Sequence, residues 1–202
     1  MSKTVEFFFD LGSPASYLAW TQLPKLCAEH DAQLVYRPML LGGVFQATGN
    51  ASPAMVPAKA RHVFVDFQRY AKRYGVTLAL PPGFPINTLG LMRGTVAVQR
   101  YQPERFEAYL NAVFTALWVR QRNLADPQVL AAVLQEAGFD PEQYQAWSAE
   151  PEVKAALKDA TEEAVRRGVF GAPSCFVGEQ MFFGQDRLEF VVEALAEHDS
   201  QV

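Results

Sequence analysis

Apolar residues at the start of the chain change from a continuous run to a helical repeat. The run formed by Val5 and residues 7–9 predicts a strand that is covered on both faces. Asp10, Gly12 and Ser13 interrupt this run, and Pro14 has the φ angle that is favoured in the first turn of a helix. The pattern therefore predicts a strand that is followed at once by a helix over residues 14–29.

A second strand and a long helical stretch follow. The second strand is predicted over residues 33–40, closed by Pro38 and the Gly42-Gly43 pair. A strand–helix–strand unit of this size should be parallel and right-handed. From about residue 55 to 165, nearly every segment has helical length and period, with Pro or Gly at its ends. The predicted helices cover about 57–74, 88–100, 103–120 and 127–138, and two more begin at Pro141 and Pro151.

The last segment of the chain returns to strands. Residues 174–177 and 180–183 are separated by two residues typical of a hairpin turn, and Gln185-Asp186 opens a final helix. The order βαβ, helical block, ββα is that of an α/β thioredoxin-like fold with helices inserted between its halves. Because the sheet needs both halves to close its core, we expect a thioredoxin-like domain of residues 1–45 and 166–202. Residues 46–165 would form the inserted α-helical domain.

Ser13 is the first residue with candidate chemistry, because it is predicted at the N-cap of the first helix. A serine there lies beside unsatisfied backbone N–H groups and the positive end of the helix dipole, where an anion such as a thiolate is stabilised. Thioredoxin-like proteins carry a Cys-x-x-Cys pair at this location, whereas this chain has Ser13-Pro14-Ala15-Ser16. A thiolate at this place would therefore come from a ligand. Ser followed by Pro is also a common structural cap, and that alternative stays open.

Composition narrows the classes of function. The formal net charge of −4 and the pI near 5.4 argue against nucleic acid or an anionic membrane as a general partner. No stretch approaches the ~20 apolar residues of a membrane span, and no secretory signal is visible before the first strand. Cys27, Cys175 and the three histidines fit no metal or redox spacing. We expect a cytoplasmic protein without a metal centre, and the lack of a vicinal cysteine pair excludes a Cys-x-x-Cys oxidoreductase.

A proline directly before the third strand supplies a second indication. Gly171-Ala172-Pro173-Ser174 stands where thioredoxin-like folds hold a cis-proline that faces the redox site. Cis X–Pro bonds are uncommon, about 5–6% of those in folded proteins, so the prediction rests on the placement of this tetrapeptide. A cis bond would turn the backbone N–H and C=O of Ala172 toward the cleft, where an extended peptide can pair with them. In isolation, a proline that simply begins a strand explains the same residues.

Seven segments, taken in order, carry a resemblance to a known family. They lie at 8–19, 36–43, 47–50, 57–59, 84–89, 168–174 and 182–188. In these segments the chain resembles the kappa-class glutathione transferases and, more closely, the bacterial 2-hydroxychromene-2-carboxylate isomerases. Both groups belong to the DsbA-like branch of the thioredoxin superfamily. One departure is Ala15, where family members more often have an aromatic residue, and the smaller side chain would enlarge the mouth of the cleft.

The resemblance implies glutathione as the cofactor and Ser13 as the catalytic residue. The Ser13 hydroxyl would donate a hydrogen bond to the glutathione sulfur, which stabilises the thiolate over the thiol. The backbone at Ala172 and Pro173 would pair with the cysteinyl part of the tripeptide.

The resemblance also implies residues that hold the two ends of glutathione. Gln185 and Asp186 would bind the γ-glutamyl end through helix N–H groups and the Asp side chain. Asn50 and Lys59 would reach the cofactor from the helical block, with Lys59 beside the glycine carboxylate. Without the resemblance, Asn50 is a turn residue and Lys59 an exposed helix charge.

The substrate side is expected to include Asn87 and Arg93, since the isomerases carry a similar segment there. Asn87 is equally well explained as a helix N-cap. Arg37 either points at a substrate carboxylate or is structural. Trp118 is expected in the core or in the wall of the pocket.

Three functions are compatible with these residues. The first is a glutathione-dependent isomerase of a small aromatic carboxylate from ring degradation, in which the thiolate adds reversibly to a conjugated double bond. The second is a kappa-class-like transferase that releases a stable conjugate. The third is a non-catalytic thioredoxin-like module that binds an extended peptide along the Pro173 edge. The resemblance further implies a homodimer.

Overall fold

Four strands form one mixed sheet in the order β2-β1-β3-β4. In the computed structural model, which describes residues 3–199, the strands are β1 (Lys3–Phe9), β2 (Ala32–Pro38), β3 (Ser174–Val177) and β4 (Gln180–Phe183). Strand β1 pairs in parallel with β2 and antiparallel with β3, and β3 and β4 form a hairpin. The predicted thioredoxin-like fold, with helices between its βαβ and ββα halves, is confirmed.

Ten α-helices, joined by loops and short 3-10 turns, lie outside the sheet in the described chain. The helices of the central block begin and end within a few residues of their predicted limits, because proline and glycine mark their ends. The helices are α1 (Pro14–Trp20), α2 (Leu23–Glu29), α3 (Leu41–Thr48), α4 (Pro57–Tyr74), α5 (Leu89–Tyr101), α6 (Phe106–Trp118), α7 (Pro127–Glu136), α8 (Pro141–Ala149), α9 (Pro151–Arg166) and α10 (Leu188–Asp199). None of the helices within residues 3–199 is long and apolar enough to cross a membrane.

The predicted single helix over 14–29 was wrong. The segment forms two helices, α1 and α2, and Pro24 lies in the first turn of α2. A continuous helix would place the Pro24 ring against the carbonyl four residues earlier, where proline also lacks the N–H that the helix needs. The final helix was also predicted too early, since Gln185–Arg187 form a 3-10 turn and α10 begins at Leu188.

The Gly42-Gly43 pair was wrongly predicted to close the second strand. Both glycines lie inside α3, which buries Val44 against the sheet. A Cβ at Gly43 would come within 3.1 Å of Thr161 Cγ2 on α9. The missing side chain therefore permits close approach of α3 and α9, and this packing outweighs the low helix propensity of glycine.

Alternating side chains of β1 supply two apolar cores, one on each face of the sheet. Phe7 and Phe9 pack with the helical block, whereas Phe8 packs with Phe176 and with Ala164 of α9. The predicted domain boundaries fall inside helices, at 45/46 in α3 and at 165/166 in α9, so the division into two domains stays a prediction. The loop between β1 and α1 lies where the sheet meets the helices that pack on its two faces.

Candidate active site

Ser13 is the N-cap of α1, as predicted. It has extended backbone angles (φ −96°, ψ 115°) and its Oγ accepts a hydrogen bond from the Ser16 N–H at 3.1 Å. The same hydroxyl donates to the Ala172 carbonyl at 3.0 Å. Through these two hydrogen bonds the Ser13 hydroxyl links the N-terminus of α1 to the loop before β3. Ser13 is only 4% exposed.

The loop before β3 contains a cis Ala172-Pro173 bond, as predicted. The Ala172 N–H donates no hydrogen bond to any group within residues 3–199, whereas the Pro173 carbonyl accepts from the Gly184 N–H at 2.9 Å. A backbone donor without a protein partner therefore lies one residue from the proline, next to the carbonyl that Ser13 contacts. A second cis bond, Phe84-Pro85, was not predicted.

The segment after α3 reaches the same loop through Asn50. Its Nδ2 donates to the Phe170 carbonyl at 2.8 Å, and its Oδ1 accepts from the Ala51 N–H at 2.8 Å. Both ends of this amide are therefore engaged by the protein. Lys59 lies in the first turn of α4, is exposed, and forms no ion pair with a residue of the described chain.

Gly184 and Asp186 shape the turn that precedes α10. Gly184 has φ +100° and ψ 153°, and a Cβ there would lie 2.3 Å from Asp186 Oδ1. Only glycine fits this backbone with the aspartate folded over it. The Asp186 carboxylate is partly exposed and pairs with Arg187. Gln185 is 5% exposed, and its backbone carbonyl accepts a hydrogen bond from the Tyr74 hydroxyl. Burial raises the pKa of this hydroxyl to about 12.

Asp10 holds the β1–α1 loop against the helical block, a role that was missed in the sequence. Its Oδ1 accepts from the Gly12 N–H at 2.8 Å, and its Oδ2 accepts from the Leu41 N–H at 2.9 Å and the Thr88 hydroxyl at 3.0 Å. The residue is 1% exposed. Burial raises the pKa of this carboxyl, and the three hydrogen bonds oppose the shift. A carboxylate that directly follows a buried strand needs such donors. The position of Asp10 after the apolar run of β1 is therefore the sequence feature that could have revealed its role.

The helical block also satisfies both backbone groups of Leu11. The Leu11 N–H donates to Met92 Sδ at 3.3 Å, and its carbonyl accepts from Trp118 Nε1 at 3.0 Å. Trp118 is fully buried, so its predicted place in the core is confirmed. These contacts fix the loop that ends at Ser13.

Comparison with known proteins identifies the family. The model of the DsbA-like thioredoxin domain matches residues 4–196. A 2-hydroxychromene-2-carboxylate isomerase of Sphingobium xenophagum is 31% identical over 95% of this chain and 97% of its own length. Human glutathione S-transferase kappa 1 is also 31% identical, over 98% of this chain and 92% of its own length. The chain belongs to this DsbA-like family of isomerases and kappa-class transferases.

A solved structure of a DsbA-like relative agrees with this assignment. The structure of a 2-hydroxychromene-2-carboxylate isomerase superposes with a TM-score of 0.86 at 30% identity, covering 98% of this chain and 97% of that chain. The resemblance predicted from the seven segments is therefore confirmed.

This DsbA-like chain has no reactive thiol of its own among the described residues. Cys27 and Cys175 are both free and buried. Burial raises the pKa of Cys27 to about 11 and that of Cys175 to about 12, so both are protonated at neutral pH. A thiolate at Ser13 would have to be brought by a ligand.

The predicted substrate residues lie in different surroundings. Arg37 donates at 2.8 Å to Glu6 and at 2.8 Å to Glu163, which favours its structural alternative, and we leave it out of the proposed site. Asn87 is exposed and its Oδ1 accepts from the Leu89 N–H at 3.0 Å, but the N-cap of α5 is Thr88, so the N-cap alternative for Asn87 was wrong by one residue. Arg93 lines a groove between α3, α5 and α9.

Proposed function

We propose that this protein is a glutathione-dependent isomerase of a small conjugated carboxylate from aromatic-ring degradation. The observation that carries the proposal is the 3.0 Å hydrogen bond from Ser13 to the Ala172 carbonyl. This hydrogen bond holds the N-terminus of α1 beside the Ala172 N–H, which has no partner among residues 3–199. The described chain itself has no reactive thiol. The isomerases among its relatives support the type of reaction.

The residues present fit glutathione, a tripeptide with a thiol, two carboxylates, an amine and two peptide groups. Ser13 offers a hydroxyl for the sulfur, and the Ala172 N–H has no other partner among residues 3–199. Lys59 offers an exposed cation for a carboxylate, and Asp186 a partly exposed carboxylate for the amine. Because its amide is engaged, Asn50 supports the site by holding the loop at Phe170.

When bound, glutathione supplies a thiolate that adds reversibly to a conjugated double bond. The Ser13 hydroxyl, which donates to the Ala172 carbonyl in this structure, would donate to the sulfur instead, and its Oγ would keep the hydrogen bond from the Ser16 N–H. The N-terminus of α1 stabilises negative charge at that place. Asn87 is the proposed anchor for the substrate carboxylate, and Lys59, beside the glutathione carboxylate, is the proposed donor to negative charge that develops on the substrate.

Glutathione binding tests the proposal. Titration calorimetry with reduced glutathione should show binding, and the ultraviolet absorbance of the bound thiolate should be present at neutral pH. Absence of binding would remove both the cofactor and the catalytic role of Ser13.

A transferase that releases a conjugate is the second candidate, because the human kappa-class relative is as similar as the isomerase. Incubation with a 2-hydroxychromene-2-carboxylate substrate separates the two. An isomerase leaves the free glutathione concentration unchanged, whereas a transferase consumes glutathione in step with substrate. Homodimerisation and a cytoplasmic location stay predictions from the sequence.

We predict that Gly184→Ala weakens glutathione binding and stability together. The alanine would need a backbone with φ +100° and would place Cβ 2.3 Å from Asp186 Oδ1, so the carboxylate must move. Such backbone strain costs about 1–3 kcal/mol. Urea unfolding and calorimetry with glutathione measure the two effects.

The matched control is Gly178→Ala in the β3–β4 turn, where φ is +58° but the added Cβ meets no atom within 4 Å. It should lower stability by about 1–2 kcal/mol and leave glutathione affinity unchanged. Equal glutathione affinity in Gly184→Ala and the wild type would contradict the role given to Asp186.

A further inference from the structure

The turn that carries Asp186 is held at two backbone groups by distant parts of the chain. The Gly184 N–H donates to the Pro173 carbonyl at 2.9 Å, and the Gln185 carbonyl accepts from the Tyr74 hydroxyl at 2.5 Å. The first contact comes from the loop before β3, whereas Tyr74 is the last residue of α4. The place of the Asp186 backbone therefore depends on the cis-proline loop on one side and on α4 on the other.

Tyr74 and Asp186 line the same small pocket. The pocket lies between α2, α4 and the start of α10 and has a volume of about 240 Å³. Burial raises the pKa of Tyr74 to about 12, and the nearby Tyr70 and Asp186 add to the shift. The Tyr74 hydroxyl therefore keeps its proton at neutral pH and remains a donor to the Gln185 carbonyl.

The turn needs such a restraint if its carboxylate is to bind a ligand. Gly184 has φ +100°, and glycine gives the backbone more freedom at this point than any other residue does. The Asp186 carboxylate is partly exposed and its protein partner is the adjacent Arg187, which moves with the same turn. A group that is ordered only when a ligand binds loses part of the interaction to conformational entropy. The hydrogen bond from Tyr74 supplies order before the ligand arrives.

We propose that Tyr74 is a positioning residue for recognition of the α-amino group of glutathione. By holding the Gln185 carbonyl, it keeps the Asp186 carboxylate at the place where the amine of the γ-glutamyl end binds. Because its hydroxyl proton is engaged by the turn, Tyr74 acts on the cofactor through Asp186. This inference rests on the proposed function, and it makes the end of α4 a determinant of which thiols the site accepts.

A comparison of two thiol ligands tests the inference. Glutaryl-cysteinylglycine keeps the thiol, both carboxylates and both peptide groups of glutathione but lacks the α-amino group. In calorimetry the wild type should bind glutathione at least 10-fold more tightly than this analogue, because the analogue forms no charged hydrogen bond with Asp186. Tyr74→Phe should weaken glutathione binding about 3- to 10-fold. Binding of the analogue should not change, so the preference for the amine should shrink.

Tyr70→Phe is the matched control. Tyr70 lies one turn earlier on α4 and lines the same pocket. Its ring meets the Tyr74 ring and the Arg73 guanidinium, and its hydroxyl forms no hydrogen bond with a residue between 3 and 199. The substitution removes the same atom without releasing the turn, so the preference for glutathione should stay that of the wild type. Both variants keep their rings and should remain folded, which urea unfolding measures.

An Asp186→Ala background separates positioning from general support of the site. If Tyr74 acts through the carboxylate, adding Tyr74→Phe to Asp186→Ala causes no further loss of glutathione affinity. The absorbance of the bound thiolate should titrate in Tyr74→Phe as in the wild type, since the Ser13 hydroxyl is untouched. A merely structural role would weaken both ligands equally, raise the pKa of the bound thiol, or add to the loss in Asp186→Ala. Any of these results would overturn the inference.

The same titrations distinguish this inference from the proposed function. If the wild type does not bind glutathione, the proposed function fails and the inference fails with it. If glutathione binds with a thiolate signal that depends on Ser13, but Tyr74→Phe and Tyr70→Phe show the same preference for the amine, the proposed function stands and the inference alone fails.

Discussion

Ser13→Ala is expected to lose most of the glutathione-dependent turnover while the protein remains folded. Its hydroxyl is the side-chain donor at the start of α1, and a hydrogen bond to a charged group contributes about 1.5–3 kcal/mol. Loss of that bond should raise the pKa of bound glutathione by about one to two units. Turnover at neutral pH should fall roughly 10- to 150-fold. The lost N-cap should lower the free energy of unfolding by about 1 kcal/mol.

Ser16→Ala is the control, because it makes the same change three residues along the same helix. The Ser16 hydroxyl is buried without a hydrogen-bond partner, and the alanine keeps the N–H that donates to Ser13 Oγ. Turnover should be unchanged, and stability unchanged or slightly higher, since a buried unsatisfied group is removed. The two variants are compared by steady-state turnover and by the pH dependence of the thiolate absorbance. Full turnover in Ser13→Ala would refute the catalytic role of the serine.

Asp10→Ala should cause the largest loss of stability. It leaves the Gly12 and Leu41 N–H groups and the Thr88 hydroxyl without their acceptor in a site where Asp10 is 1% exposed. A buried donor without a partner costs about 1–3 kcal/mol, so we expect a total of about 3–5 kcal/mol in urea unfolding. Asp10→Asn keeps one oxygen acceptor and should lose less.

Asp140→Ala is the control for this change. Asp140 also accepts backbone N–H groups, from Glu142 and Gln143, but it is exposed at the N-cap of α8. Water can replace it there, so the cost should be about 1 kcal/mol. Similar losses in the two alanine variants would show that burial of Asp10 does not matter.

Asp10 should also make stability depend on pH. Burial raises the pKa of its carboxyl in the folded state above the ordinary value of 3.8, so the folded state binds a proton that the unfolded state has released. Stability therefore falls as the pH rises from about 4 through the raised pKa. The unfolding free energy of the wild type minus that of Asp10→Asn should decrease over this range. A difference that is flat or that increases with pH would contradict the shift.

Short stretches of sequence predicted the parts of the site that depend on neighbouring residues. The N-cap at Ser13 follows from a serine and a proline after an apolar run. The β3–β4 hairpin follows from two apolar runs separated by a turn. The prediction of the cis bond at Pro173 required both the tetrapeptide of residues 171–174 and its position directly before β3.

Other features depend on residues that are far apart in sequence. Asp10 gains its role from Leu41 and Thr88, which lie 31 and 78 positions away. The structural alternative for Arg37 is favoured by Glu163, 126 positions away. Gly42 and Gly43 indicate the end of a strand in the sequence, but both lie inside α3, where α9 packs closely against Gly43.

The sequence by itself determined the order of strands and helices, the capped serine and the family of this protein, because each of these is recorded in runs of consecutive residues. Only the tertiary structure decided which groups meet. The hydrogen bonds of Ser13 with Ala172 and of Asp10 with Thr88, and the groove around Arg93, arise where separate segments bury their apolar faces together. That burial sets which polar groups lose water and must find partners across the fold.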